Sequence, residues 1–328
     1  MIEILTPKEG EVAILLQDKH LAYIKEPKND PTSKVDWLNL REVQDDLSYP
    51  RSVVVTYNPS VDGEVILHCP NGKENVIAAK AGRAELMNLL LDAEYRIAVR
   101  IGNEFSDIRT FRTHAQVPRM LYVDGISNVR DFGGFPTESG KRIRQEMIYR
   151  TSEMDSHVEI TEVGKQTMYD LGIRTDLDIR GIKDEPRCPI LDESRVQWVN
   201  YPLAAYAEIY NERQLELYGK SYSLLTDPAN YPMIVHCWGG IDRTGTWLYI
   251  LGAMLGVPED LLGLDYEMSS FSRWNRRSRR SEQFVDFLKG LYAYGDTLQS
   301  AATNFMKACG LSDHDLNTIR ELLLEEKK

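Results

Sequence analysis

Between residue 1 and about residue 115 the apolar positions come in short alternating or β-branched runs: Glu11–Leu16, Ser52–Tyr57, Glu64–Cys69 and Tyr95–Ile101. A repeat of two is that of a strand with one face buried. Turn chemistry separates the runs at Asn58-Pro59-Ser60, Asp62-Gly63 and Pro70-Asn71-Gly72. The pattern predicts a small antiparallel all-β sandwich over 1–115. From about Arg119 the texture changes, and apolar strand-like runs (Arg174–Ile179, Met233–Cys237) alternate with helical stretches. That is the habit of an α/β domain with a mainly parallel sheet flanked by helices, expected over 119–328 with the boundary near Ala115–Pro118. At the far end Ser312 stands as a helix N-cap with Asp315 three residues on, followed by Leu316, Ile319, Leu322 and Leu323. A terminal amphipathic helix is predicted there.

Composition narrows the classes of function. The 328 residues are 42% hydrophobic and 27% charged, which suits an ordinary soluble protein of two domains or one large one. A formal net charge of -11 argues against a general nucleic-acid binder, since a phosphate backbone would be repelled. The opening residues show no basic stretch followed by an apolar one, and no run approaches a bilayer span, so neither an export signal nor stable membrane insertion is expected. Cys69, Cys188, Cys237 and Cys309 are widely spaced with no CxxC pair. Neither a disulfide framework nor a metal site is suggested; a reducing, cytoplasmic compartment fits, and one cysteine is free to act as a nucleophile.

The run YPMIVHCWGGIDRTGTWLYILGAMLG carries the chemistry. A buried strand over Met233–Val235, a tight glycine loop and a helix ending at Gly256 before Pro258 together make an anion site, because loop N–H groups and the helix dipole converge on one point. In C-x5-R spacing the loop passes once around an oxyanion and returns the Arg243 guanidinium opposite the Cys237 sulfur. Gly239 and Gly240 let the backbone approach the anion, and bulk at Gly240 is expected to clash. A helix N-terminus and a guanidinium favour the thiolate. Thr244 can bond the sulfur, and His236 can fix the loop through backbone carbonyls. A lone cysteine after an apolar strand is usually an inert core residue, and a bare C-x5-R recurs by chance. The composite His-Cys-x-x-Gly-x-x-Arg-Thr-Gly between strand and helix is far rarer.

That composite resembles the signature of the protein tyrosine phosphatase superfamily. The segments Ser127–Glu153, Leu171–Gly181, His236–Gly245, Leu264–Ser270 and the terminal GLSDHDLNTIRELLL are similar, in the same order, to the atypical bacterial tyrosine/serine phosphatases, over about Leu121 to Glu325. The resemblance implies a phosphatase with a phospho-cysteine intermediate and no cofactor, acting on phosphotyrosine and also on phosphoserine or phosphothreonine. The segment LLLDAEYRIAVRIGNEFSDIRTFRTHA resembles the last strands of a fibronectin type III domain, with Tyr95 near a strand start and a closing strand at Phe111–Thr113.

The leaving group needs a proton donor. By the resemblance Asp242 has first claim, the alternative being a carboxylate that only stabilises the loop. Asp178, at the end of a predicted strand, is the runner-up, with Arg180 and Glu185 expected to form an ion pair nearby. The resemblance implies that Asn128, Arg130 and Asp131 build a loop beside the phosphate site, with Arg130 either touching substrate or bracing the fold. Where the family commonly has Lys before that Asp, this chain has Ile241, which weakens a phosphoinositide reading. Trp238 and Ile241 form an apolar rim for an aromatic leaving group or pack against a helix. Arg273, Arg276, Arg277, Arg279 and Arg280 either gather an acidic substrate or pair with the protein's own acids. Three functions stand: a phosphotyrosine phosphatase whose partner is a phosphorylated protein or a small phosphomonoester, a phosphoinositide or inositol-phosphate phosphatase, and a non-catalytic phosphate-binding or adhesion module. Oligomeric state is not legible.

Overall fold

The structure is a computed structural model that describes residues 1–25, 46–181, 183–184, 187–274 and 277–326. The chain forms two compact units: Met1–Lys25 with Pro50–Tyr122, and Glu26–Tyr49 with Val123–Lys328. Residues 46–49, just ahead of Pro50, group with the second unit.

The first unit holds β1 (Glu3–Thr6), β2 (Glu11–Ala13), α1 (Asp18–Lys25), β3 (Val53–Asn58), β4 (Gly63–His68), β5 (Glu74–Ala79), β6 (Arg83–Leu86), β7 (Glu94–Ile101), β8 (Glu104–Phe105), β9 (Arg109–Thr113) and the short β10 (Arg119–Met120). One sheet runs β1-β3-β6 and the other β2-β9-β7-β4-β5. The alternation dictates the faces: Val53, Val55 and Tyr57 of β3 are buried while Val54 and Thr56 are partly open. Each such side chain taken from water contributes roughly 1.5–3 kcal/mol before the entropy of ordering is charged against it. Tyr95 of β7 stands opposite Phe111 of β9, and their rings stack at 5.5 Å. The expectation of purely antiparallel strands fails at one pair, because β2 joins β9 in parallel. Those strands lie far apart in sequence, so no hairpin constrains their direction.

In the second unit β11 (Arg130–Asp131), β13 (Ile148–Thr151), β16 (Met233–His236), β14 (Thr175–Asp178) and β15 (Gln197–Asn200) lie side by side in that order. Only the β11–β13 pair is antiparallel. β16 is the middle strand and all four of its residues are buried, as suits an unbroken apolar run with both faces covered. The helices are α2 (Glu162–Asp170), α3 (Glu212–Ser223), α4 (Asp242–Leu255), α5 (Glu259–Met268), α6 (Glu282–Tyr292), α7 (Leu298–Ala308) and α8 (Asp313–Leu323).

α4, which follows β16, is buried at every residue from Thr244 to Leu255 and stops at Gly256, whose φ of 87° supplies the left-handed cap. Trp247 anchors it by stacking on Tyr222 at 5.0 Å and donating its indole N–H to Ser221 Oγ. α8 has the expected capping box at Ser312 and Asp315 and buries Leu316, Ile319 and Leu323. Beyond it the chain adds β17 (Leu324–Glu326), antiparallel to β12 (Lys141–Ile143). Among the described residues no helix is long and apolar enough to cross a membrane.

Candidate active site

β16 ends at His236, Cys237 follows, the chain turns through Trp238–Ile241, and α4 begins at Asp242. Cys237 is 3% exposed. Along the turn and first helical residues, the backbone N–H groups of Trp238 through Thr244 find no acceptor among the described residues. Unpaired donors at a helix N-terminus call for an anion. Arg243 returns toward the sulfur: burial works against its charge, but Cys237 and then Asp184 hold its proton more firmly than usual.

A buried frame sets the shape of the loop. The carboxamide of Asn128 donates to Gly239 O at 3.0 Å and Gly240 O at 3.1 Å, and Arg150 Nη2 donates to Gly240 O at 2.5 Å. Asp265 sits between the two arginines, accepting from Arg130 Nε at 3.0 Å and from Arg150 Nη1. Although burial disfavours its charge, those two guanidinium groups keep its carboxyl below the ordinary range. Arg130, fully buried, also donates to Asn128 Oδ1 and to Ser269 Oγ. The structure therefore places Arg130 behind the loop as a brace, and the reading in which it touches substrate is corrected. Its donors are taken by Asp265, Asn128 and Ser269.

Gly240 has a φ of 64°, and a Cβ there would lie 2.0 Å from Thr151 O. Backbone cannot yield as a flexible side chain can. We expect Gly240→Ala to lower kcat/KM for an aryl phosphate by about 100-fold, of the order lost with one oxyanion donor, with a weaker vanadate affinity read in the same assay.

His236 lies under the loop, fully buried. Its Nδ1 is 3.3 Å from Cys237 O, and its Nε2 pairs with Asp176 Oδ1 at 3.1 Å by charge rather than by an aligned hydrogen bond. Burial opposes protonation, yet Asp176 and Asp178 outweigh it and raise the imidazole from 6.5 to about 9. The sign follows: the contribution of charged His236 to stability is full below about pH 6.5 and is lost as pH rises through about 9, roughly 3 kcal/mol in all. Urea unfolding across that window is expected to show a smaller pH dependence in His236→Gln than in the parent protein.

The acids separate clearly. Asp178 is fully buried and held by Arg180, whose Nε lies 3.0 Å from Oδ1 and Nη2 2.9 Å from Oδ2. Burial raises its carboxyl, but His236 and Arg180 prevail and lower it. Enclosed and paired in this way, Asp178 is placed for a supporting position under the loop rather than one facing a leaving group. Arg180 also binds Asp155, at 2.6 Å and 3.0 Å, while Glu185, the expected partner, lies outside the described residues.

Asp242, at the first position of α4, accepts from Tyr206 and from Arg277 Nε at 2.6 Å and Nη2 at 2.8 Å. Burial is again outweighed, by Arg277 first, and the carboxyl is lowered. Tyr206 adopts a φ of 55°, a strained value for an aromatic residue, and its hydroxyl also meets Tyr266 at 2.5 Å. A carboxylate invisible in the sequence patterns, Asp184, accepts from Arg243 Nη1 at 2.6 Å and from Gly181 N–H at 2.8 Å.

Residues 121–325 match the model of the tyrosine phosphatase family. The chain belongs to that family. A Cupriavidus necator protein that carries the name of a tyrosine-protein phosphatase is 25% identical over 170 residues, 44% of this chain and 61% of that one. The chain thus spans about three fifths of that relative's length. Two solved structures, the Siw14 catalytic core and the core catalytic domain of the PP-IP phosphatase SIW14 from S. cerevisiae with citrate, align at TM-scores of 0.31 and 0.30. They share 16% and 17% identity, cover 43% of this chain in each case, and take in 76% and 80% of their own. That likeness is too slight to bear on substrate.

In this family member the two rim candidates part. Ile241 is 2% exposed and packs inward, so it is no part of a rim. Trp238 is 39% exposed, with its indole N–H on His157 Nδ1 at 2.5 Å and its carbonyl on Glu153 N–H at 2.9 Å. Trp274 stands 6.2 Å from it, centroid to centroid, and passes 3.5 Å from where a Cβ on Gly239 would be. The Thr244 hydroxyl is buried and bonds neither the Cys237 sulfur nor any other described residue. In the arginine run, Arg277 is spent on Asp242 and Arg279 on Glu267 at 2.9 Å. Those two pair with the protein's own acids. Arg273 and Arg280 are exposed, and Arg276 lies outside the described residues.

Proposed function

We propose that this protein hydrolyses phosphate monoesters through a phospho-cysteine intermediate. The observation that carries the reading is the run of N–H groups from Trp238 to Thr244, unpaired among the described residues, around a buried Cys237 with Arg243 beside it. The Cys237 thiolate attacks phosphorus, an S–P bond forms, the ester P–O bond breaks, and the leaving oxygen takes a proton. Water then attacks phosphorus, the S–P bond breaks, and water gives up a proton to the same carboxylate.

Asp242 is assigned as that carboxyl. Ionised at rest by Arg277, it gains a proton more readily once a phosphate dianion arrives and competes for that guanidinium. Asp242→Asn is then expected to slow turnover most for leaving groups of high pKa, measured over a series of substituted phenyl phosphates. If only Asp184→Asn shows that dependence, the acid is Asp184.

Trp238 and Trp274 present an aromatic wall beside the nucleophile, which favours an aryl ester, and hence phosphotyrosine, over phosphoserine or an inositol phosphate. The motif order supports membership of the atypical bacterial branch, and the β7–β9 strand pair with Tyr95 on Phe111 supports a fibronectin type III-like first unit. A reducing cytoplasm suits a thiolate nucleophile. The test is a turnover panel of phosphotyrosine peptides, phosphoserine peptides and phosphoinositides. Highest kcat/KM on phosphotyrosine is expected; preference for a phosphoinositide would overturn the substrate assignment, and no turnover on any of them would overturn the enzyme reading. Vanadate is expected to inhibit, and activity to persist in chelator.

A further inference from the structure

Residues 46–49 group with the second unit. Ser48 there is 3% exposed. Its hydroxyl donates to Asp46 Oδ1 at 2.5 Å and accepts the backbone N–H of Asn128 at 2.8 Å. Leu47 N–H donates to Phe271 O at 2.9 Å, at the end of the turn Ser269–Phe271. Ser269 of that turn accepts from Arg130 and Arg150. Residues 46–49 are therefore tied at two points to the frame that shapes the phosphate loop.

Asn128 is the joint in that frame. It is fully buried and has a φ of 62°, left-handed for a residue with a side chain. Such a conformation costs on the order of 1 kcal/mol and persists where neighbours over-determine it. Its oxygen is fixed by Arg130 and its amide nitrogen by the Gly239 and Gly240 carbonyls, which leaves the backbone N–H as the third point. Ser48 holds that point.

We propose that Ser48 is a positioning residue for the phosphate loop, acting through Asn128, and that residues 46–49 are a working part of the catalytic unit rather than a tether. The proposal rests on the phosphatase reading, since what Ser48 positions is the anion cradle. Without the hydroxyl, the Asn128 N–H is left in a dry interior with no acceptor. An unpaired buried donor is relieved by rotating the peptide, and rotation of Asn128 carries its carboxamide off the two loop carbonyls. The loop N–H groups then point away from the oxyanion.

In the full-length chain, Ser48→Ala is expected to raise the vanadate inhibition constant about ten-fold, the factor for one lost hydrogen bond with a stranded partner, and to lower kcat/KM on p-nitrophenyl phosphate alongside. Ser48→Thr, which keeps the oxygen, is expected to restore most of it. In an Asn128→Ala background the same Ser48→Ala change should add less than about two-fold, because the route to the loop is already cut. A merely structural serine predicts a lower unfolding midpoint with an unchanged vanadate constant well below that midpoint, and that result overturns the proposal. If Ser48→Ala does not fold, Asp46→Asn weakens the same relay without loss of volume, and an unchanged constant there overturns it equally. Failure of the parent protein to hydrolyse any phosphate monoester or bind vanadate would sink the phosphatase reading. A parent that does both, beside an unaltered Ser48→Ala, sinks the Ser48 assignment alone.

Discussion

Cys237→Ser is expected to lower kcat on an aryl phosphate by about 10^4-fold or more, the scale on which removing a nucleophile acts, while vanadate or phosphate still binds. The two halves of that expectation come from different atoms. Turnover needs a thiolate, and a serine hydroxyl in the same place stays protonated with no base beside it. Binding needs the N–H groups from Trp238 to Thr244 and the Arg243 guanidinium, none of which the substitution touches. Isothermal titration with vanadate alongside a turnover assay separates them. Loss of both would mean that the serine disturbs the loop, and retention of turnover would mean that the sulfur is not the nucleophile.

Arg243→Lys is expected to cost about 10^3-fold in kcat/KM, towards the upper end for loss of a charged transition-state donor. The conservative charge does not help, because the guanidinium has two duties. Its Nη1 is held by Asp184 at 2.6 Å, which leaves Nε and Nη2 for two phosphoryl oxygens. An ammonium has no planar fork and cannot meet a carboxylate on one side and a tetrahedral anion on the other in fixed geometry. The loss is expected in both KM and kcat, since the contact serves the ground state and the trigonal-bipyramidal transition state together. A Lys variant with parent-like kinetics would show that the loop N–H groups suffice.

Where the structure agrees with the pattern of the sequence, the agreement is local. Strand β16, the glycine turn and α4 are contiguous, so covalent order brings Cys237 and Arg243 together and makes the candidate anion site legible from residues 233–256. The capping box at Ser312 and Asp315 is likewise contained in four residues. What escapes is carried by contacts between distant residues. Arg150 and Asp265 are separated by more than a hundred positions; each lies in a segment that carries the family resemblance, but nothing in the sequence pairs them with each other or ties Arg150 to Gly240.

Asp178 misleads for a physical reason: a strand end is the right place for a catalytic carboxylate, but Arg180 two residues on folds back to neutralise it. Ile241 and Trp238 are both apolar and three residues apart, and their types alone leave rim and packed positions equally open; the loop turns the first inward and the second outward. Residues 46–49 carry no alternation or motif, so the contacts of Ser48 with Asn128 and of Leu47 with Phe271 are visible only in three dimensions.

The central claim is that the Cys237 sulfur carries the phosphoryl group. Acid quenching during turnover of p-nitrophenyl phosphate, followed by mass spectrometry of the peptide bearing Cys237, tests it most directly. Phosphate on the sulfur, absent in Cys237→Ser, is the predicted result. Steady turnover with phosphate on another side chain, or on none, would contradict it.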